Sequence, residues 1–99
     1  MSKTSTAVLE KVEVKKPQLF EIIFHNNDVT PYNFVEFLLQ QVFYYSSADA
    51  FDFAKKVHSE GSGVAGIFSK EIASEKMRSC EQFKIEECQF DLKITTNAV

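Results

Sequence analysis

Apolar residues along the chain fall into short runs separated by polar turns, and their spacing changes from one run to the next. Phe20–Phe24 is apolar on nearly both faces, which predicts a well-covered strand. The next run has helical spacing and follows a threonine–proline pair, so we expect Thr30 to be the N-cap and Pro31 the first helical residue. The apolar face of this helix consists of Phe34, Val35, Leu38, Leu39, Val42 and Phe43.

Two further helices are predicted from caps and spacing. Ser46 or Ser47 offers an N-cap for the second helix, and Gly61 offers a left-handed end to it. Ser69 is the expected N-cap of the third helix, with Glu71 in its first turn. The residues predicted to face the core are Ala50, Phe53, Ala54 and Val57 in the second helix and Ile72, Ala73, Met77 and Cys80 in the third.

Two more strands complete the predicted fold. The glycine-punctuated stretch GSGVAG is predicted to be a turn that leads into a short strand, Val64–Phe68. Near the C-terminus, Phe90, Leu92 and Ile94 alternate with polar residues, which predicts a strand with one solvated face. The order is therefore β-α-α-β-α-β. We predict an α+β fold, a two-layer α/β sandwich in which three helices cover one side of an antiparallel or mixed three-stranded sheet.

Composition indicates one small domain behind a polar N-terminal segment. Of the 99 residues, 44% are hydrophobic and ten are phenylalanine, enough for a single core. Residues 1–17, rich in Ser, Thr, Lys and Glu, are predicted to be a flexible N-terminal extension, and residues 18–99 the core domain. The net charge is −3 and residues of both signs are interspersed, so the sequence contains no basic patch of the kind that binds nucleic acid. No apolar run is long enough for a transmembrane helix or a secretory signal, so we expect a cytoplasmic protein that binds no membrane.

The sequence offers little for catalysis or for a metal. It has no phosphate-binding, dinucleotide-binding, serine-hydrolase or zincin motif. His25, Asp28 and His58 are the conceivable metal ligands, but no HxH or HxxxH pair places two ligands on one element. Cys80 and Cys88 are expected to be reduced core thiols without an adjacent base. We therefore expect no enzyme, no metal and no cofactor, and a metal-dependent enzyme is the alternative from another functional class.

Three polar side chains outside the predicted core suggest recognition instead. Asn26 and Asp28 lie in the loop after the first strand, and His58 lies near the end of the second helix. An amide oxygen, a carboxylate and an imidazole nitrogen are all hydrogen-bond acceptors, which together suit an ammonium group. The alternative is purely local: the first two form an Asx turn or a cap, and the histidine is placed by the helix dipole.

Three motifs follow one another along the chain: NND-x-TP-x-x-FV, A-x-x-VH-x-x-G-x-GV-x-G-I-F and E-x-A-x-x-K, which begin at Asn26, Ala54 and Glu71. In this order and at this spacing they resemble the ClpS family. The resemblance covers about Phe20 to Ile94 and implies a ClpS-like sandwich of three strands and three helices. ClpS proteins are non-enzymatic adaptors that deliver N-end-rule substrates to the Clp protease. The alternative is a ClpS-like regulator of Clp substrate choice that binds no N-degron.

The resemblance also implies residue roles. Asn26, Asp28 and His58 would bind the α-amino group of a substrate that begins with Leu, Phe, Tyr or Trp. Glu71 and Lys76 would dock on the N-terminal domain of a ClpA/ClpC-type AAA+ unfoldase, and residues 1–17 would help to hand the substrate over. The pocket for the first side chain would be lined by Thr30, Tyr32, Val35, Ala54, Val57 and Phe90.

The chain departs from the usual family pattern at three positions. Asn27 stands where bacterial members usually carry aspartate, which makes the loop less negative. Tyr32 and Ala54 stand where the family commonly has pocket methionines. One larger and one smaller residue should reshape the pocket, so we expect a retained preference for bulky N-terminal residues with an altered ranking among them.

Overall fold

The computed structural model describes residues 17–99, so the predicted extension lies, apart from Pro17, outside the described residues. The elements are β1 (Leu19–His25), α1 (Tyr32–Val42), α2 (Ser47–Glu60), β2 (Ser62–Ser69), α3 (Lys70–Glu86) and β3 (Ile94–Ala98). The predicted β-α-α-β-α-β order and the α+β class are confirmed.

The sheet is antiparallel throughout, with strand order β2-β1-β3. The central position of β1 explains its apolar sequence. Ile22 and Phe24 are fully buried beneath the helices, and the Phe24 ring makes edge contacts with Phe43 and Phe53 at centroid distances of 5.7 and 6.0 Å. Such aromatic pairs stabilise a core beyond the area that they bury, so phenylalanine joins the sheet to the helical layer.

The predicted caps of α2 and α3 are confirmed. The Ser46 hydroxyl accepts a hydrogen bond from the Asp49 N–H at 3.1 Å, and the Ser69 hydroxyl accepts one from Ile72 at 3.4 Å. Gly61 ends α2 with a φ of 96°, a left-handed conformation that glycine adopts without steric cost.

The second strand begins earlier than the sequence predicted. β2 starts at Ser62, so most of GSGVAG is strand and only Gly61 belongs to the turn. Gly63 shows why this stretch is rich in glycine: a Cβ at that position would lie 3.0 Å from the Phe53 ring and 3.2 Å from a Val57 methyl. The glycine allows β2 to pass directly against α2.

Two predictions about the C-terminal half were wrong. The last strand begins only at Ile94, because the residues before it form turns, and Leu92 packs into the core while Phe90 is 66% exposed. In α3, Ala73, Met77 and Cys80 do face the core, but Ile72 is 43% exposed. It lies about 100° around the helix from Ala73, outside the inward stripe.

The two cysteines differ in environment, which corrects the prediction that both are core thiols. Cys80 is fully buried and Cys88 is exposed. Burial, with a smaller contribution from the negative charge of Glu81, raises the pKa of Cys80 to about 12.

We therefore expect one reactive thiol in the native protein. The thiolate is the nucleophile, and a pKa of about 12 leaves Cys80 ionised in about one molecule in ten thousand at pH 8. A thiol reagent such as DTNB should titrate Cys88 rapidly and Cys80 only after unfolding in guanidinium chloride. Two equally fast thiols in the native protein would contradict the buried position of Cys80.

Candidate functional site

The loop between β1 and α1 is held against the end of α2 by backbone hydrogen bonds. The Asn26 N–H donates to the Gly61 carbonyl at 2.9 Å, and the Gly61 N–H donates in turn to the Val57 carbonyl at 2.9 Å. The His25 N–H donates to the Lys93 carbonyl at 3.0 Å. Asn26 is thereby placed beside the last turn of α2, which carries His58.

Asn27 fixes the shape of this loop. Its side-chain oxygen accepts a hydrogen bond from the Val29 N–H at 2.7 Å, which is an Asx turn. Its side-chain nitrogen donates to the Asp91 carbonyl at 2.6 Å, a contact between residues 64 positions apart. Asn27 therefore joins the loop to the segment before β3.

A small cavity of about 20 Å³ lies beneath the loop. It brings together seven of the residues predicted for the amine site and the side-chain pocket: Asn26, Thr30, Tyr32, Val35, Ala54, Val57 and His58. Three further lining residues, His25, Asn27 and Leu92, were missed. From the sequence, Asn27 was identified only as a departure from the family pattern. Its position between Asn26 and Asp28 could have indicated that it also lines the cavity.

Two predicted site residues do not line the cavity. Asp28 lies in the same loop but is exposed. Phe90 is also exposed, and Leu92, which is 2% exposed, forms the wall in its place. Phe90 and Leu92 are two positions apart, so in a strand their side chains would lie on the same face. The alternation therefore predicted the correct face, but it did not show that the chain turns before β3.

Tyr32 and His58 form the outer wall of the cavity. Their rings meet edge to face, with centroids 5.0 Å apart and an interplanar angle of 67°. Tyr32 is the first residue of α1 and is 40% exposed, and His58 is exposed in the last turn of α2.

Thr30 does not cap α1, contrary to the prediction. The N-cap is Pro31, whose carbonyl accepts from the Phe34 N–H at 3.1 Å, and no side chain in the described part of the chain caps this helix end. Thr30 is instead 8% exposed in the cavity wall, and its hydroxyl has no hydrogen-bond partner among residues 17–99. The threonine–proline pair therefore precedes the helix without supplying a side-chain cap.

We expect Thr30→Val to stabilise the protein. Valine has nearly the same shape, and a buried hydroxyl without a partner costs about 1 kcal/mol or more. The melting temperature should rise by about 4–8 °C for each kcal/mol gained. Urea unfolding of both proteins measures the difference. A loss of stability would show that the hydroxyl is bonded to water in solution.

The conceivable metal ligands His25, Asp28 and His58 all lie within residues 17–99. No group of three or more His, Cys, Asp or Glu side chains there is placed to hold a metal ion. The His25 ring is hydrogen-bonded instead to the Thr95 hydroxyl, with Nε2 and Oγ1 2.8 Å apart. None of the helices between Leu19 and Val99 is long and apolar enough to cross a membrane.

The two predicted docking residues lie in α3 in different environments. Glu71 is exposed in the first turn. The Lys76 ammonium donates to the Val42 carbonyl at 2.7 Å and lies 5.4, 4.9 and 5.2 Å from the ring centroids of Phe43, Tyr44 and Phe68. Lys76 is thus bound within its own chain.

Comparison with known proteins supplies the family. The sequence model of the family described as ATP-dependent Clp protease adaptor protein ClpS matches residues 15–95. The chain belongs to the ClpS family. This family is described as an adaptor of a protease, not as an enzyme.

Two relatives of this ClpS chain are both named ATP-dependent Clp protease adapter protein ClpS. The one from Myxococcus xanthus (strain DK1622) is 37% identical over 71 residues, which are 72% of this chain and 66% of that protein. The one from Desulfotalea psychrophila (strain LSv54 / DSM 12343) is 32% identical over 90 residues, which are 91% and 87% of the two chains.

A solved structure confirms the ClpS-like fold. Agrobacterium tumefaciens ClpS2, bound to L-phenylalaninamide, matches with a TM-score of 0.77 and 28% sequence identity. The match covers 85% of this chain and all of that one.

Proposed function

We propose that this protein binds the N-terminal residue of substrates that begin with Leu, Phe, Tyr or Trp and delivers them to a ClpA/ClpC-type AAA+ unfoldase and its protease. One observation carries the proposal: Asn26 and His58 converge on the rim of a cavity with walls of Val35, Ala54 and Val57. The phenylalaninamide bound to the Agrobacterium relative has a free α-amino group and an aromatic side chain, the two groups that such a site would bind.

The chemistry of the site selects a chain end. An ammonium group has three N–H donors, and Asn26, Asp28 and His58 supply three kinds of acceptor in one loop and one helix end. Each hydrogen bond to a charged group is worth about 1.5–3 kcal/mol, and burial of one large side chain adds about 1.5–3 kcal/mol. An internal peptide bond has one N–H and no charge, so it satisfies neither requirement.

The cavity must enlarge to accept a bulky side chain. Its volume of about 20 Å³ holds little more than one water molecule. Tyr32 is the wall residue placed to move, because it is partly exposed and meets the His58 ring edge to face. In this proposal Tyr32 turns away as the substrate side chain enters, and Ala54 leaves room at the inner wall.

Fluorescence polarisation tests the proposal with a labelled Phe-initiated peptide and its N-acetylated twin. We expect the free peptide to bind with a Kd on the order of micromolar and the acetylated one to bind at least about a hundredfold more weakly, because it has lost both charge and donors. Titrations with Leu, Tyr and Trp at the first position would give the ranking set by Tyr32 and Ala54. Equal binding of the acetylated twin would overturn the ammonium mechanism.

The same experiment separates the rival function. A ClpS-like regulator that changes Clp substrate choice without reading N-termini would bind neither peptide, yet would still bind the N-terminal domain of the unfoldase. Titration of that isolated domain with this protein measures the docking step directly. Binding of the domain but of neither peptide would favour the regulator.

A further inference from the structure

A second depression lies on the solvent side of the Tyr32–His58 wall. Its volume is about 420 Å³, and it follows the exposed face of α2. We call it the α2 groove; its lining residues are Tyr32, Phe51, Asp52, Lys55, Lys56, His58 and Ser59. Because Tyr32 and His58 line both the groove and the cavity, a peptide with its first residue in the cavity has the groove immediately beside it.

The length of the groove suits a short stretch of peptide. Phe51 and His58 lie seven residues apart on α2, which is about 10 Å along the helix axis. An extended chain covers that distance in about three residues. With the α-amino group beside His58, residues 2 to 4 of a substrate would therefore reach as far as Phe51.

The charges in the groove favour an acidic occupant. Lys55 and Lys56 are exposed, and Lys55 Nζ lies 5.8 Å from the centroid of the Phe51 ring. Asp52 is the one carboxylate among the lining residues, so the groove carries a local charge of +1 on a chain whose net charge is −3. The salt bridge found within residues 17–99 joins Lys84 to Glu81. Neither Lys55 nor Lys56 forms a salt bridge with a carboxylate in this range.

We propose that the α2 groove binds residues 2 to 4 of the substrate and favours acidic side chains at those positions. The inference rests on the proposed function, since it takes the first residue to be held at His58. Lys55 and Lys56 attract the carboxylates, and the exposed face of Phe51 packs against the peptide chain. Selectivity would thus extend beyond the first residue.

Three peptides that share an N-terminal Phe and differ at positions 2 to 4 test the proposal. One carries Glu at these positions, one Ser and one Lys. We expect the Glu peptide to bind about three- to tenfold more tightly than the Lys peptide at low salt, because exposed charge pairs each contribute modestly. The ratio should fall toward one in 0.5 M NaCl, where screening is strong.

A double charge reversal assigns the effect to the groove. In Lys55→Glu/Lys56→Glu the preference should invert, with the Lys peptide the tighter ligand. The matched control is Lys70→Glu/Arg78→Glu, which changes the net charge equally on exposed positions of α3 and should keep the original preference. The quantity compared is the ratio of the affinities for the Glu and Lys peptides. A substitution that weakens the binding of both peptides equally leaves this ratio unchanged.

The outcomes separate this inference from the proposed function. Equal affinities for the Glu and Lys peptides, with the Ser peptide still bound, would overturn the inference alone. A preference that survives the reversal of Lys55 and Lys56, or that inverts in the α3 control, would overturn its assignment to the groove. Failure of all three peptides, the neutral one included, would overturn the proposed function.

Discussion

His58→Ala should weaken binding of a Phe-initiated peptide by at least about tenfold, and by about a hundredfold if its hydrogen bond to the ammonium is as strong as other charge-assisted bonds. The substitution removes the proposed imidazole acceptor, which lines the cavity together with Asn26. It also removes the ring that Tyr32 contacts at 5.0 Å, which leaves the outer wall of the cavity unsupported. Fluorescence polarisation measures the loss.

The matched control is Glu60→Ala, two residues further along α2. Glu60 is exposed and lines neither the cavity nor the α2 groove, so its removal should leave the affinity within about twofold. Thermal unfolding of both variants checks that the fold is intact. Unchanged binding in His58→Ala, with the same peptide bound by the parent protein, would show that the imidazole takes no part in the amine site.

The features that the sequence predicted well are set by local chemistry. A serine hydroxyl before a helix, as at Ser46 and Ser69, needs only the amide groups of the next turn, and both caps are present. The left-handed end at Gly61 is equally local. Ser46 and Gly61 set the two ends of α2 and so help to place His58 against the β1–α1 loop, and Ser69 sets the start of α3.

The features that were missed depend on distant partners. Asn27 acts through the Asp91 carbonyl, 64 positions away, and no local pattern indicates that bond. Thr30 has the sequence signature of an N-cap, yet its hydroxyl is buried in the cavity wall, which residues as distant in sequence as Leu92 also line. For Phe90, alternation predicted a strand where the chain is still turning, because periodicity does not show where pairing with β1 begins.

The proposed residue roles come from the resemblance rather than from periodicity. Asn26 and His58 were distinguished from ordinary turn and helix-end residues by the family motifs around them, and the fold then places both at one cavity. Tyr32 and Ala54 depart from the family pattern, and both line this cavity. The proposed ranking of N-terminal residues therefore cannot be taken from the family and has to be measured on this protein.

Lys76 is the predicted docking residue for which the structure suggests a second role. Its ammonium bonds to the Val42 carbonyl at the C-terminal end of α1, where a positive charge also suits the helix dipole. Three aromatic rings surround it, including that of Tyr44, whose φ of 61° is left-handed. A lysine held in this way stabilises the junction between α1 and α3, whether or not it also contacts an unfoldase.

Lys76→Met should therefore lower the free energy of unfolding by about 2 kcal/mol, because methionine keeps most of the apolar stem but loses the charged hydrogen bond and the cation–π contacts. The melting temperature should fall by about 10 °C. Glu71→Ala is the comparison: this carboxylate is exposed and contributes less than about 1 kcal/mol through the helix dipole.

Docking and stability are then measured on the same two variants. If both residues contact the unfoldase, both substitutions weaken binding to its N-terminal domain at a temperature where each variant is fully folded, and only Lys76→Met also lowers the melting temperature. If Lys76 acts on the fold alone, Lys76→Met keeps its affinity once folded. An unchanged melting temperature with lost docking would instead show that the ammonium leaves the Val42 carbonyl and faces the partner in solution.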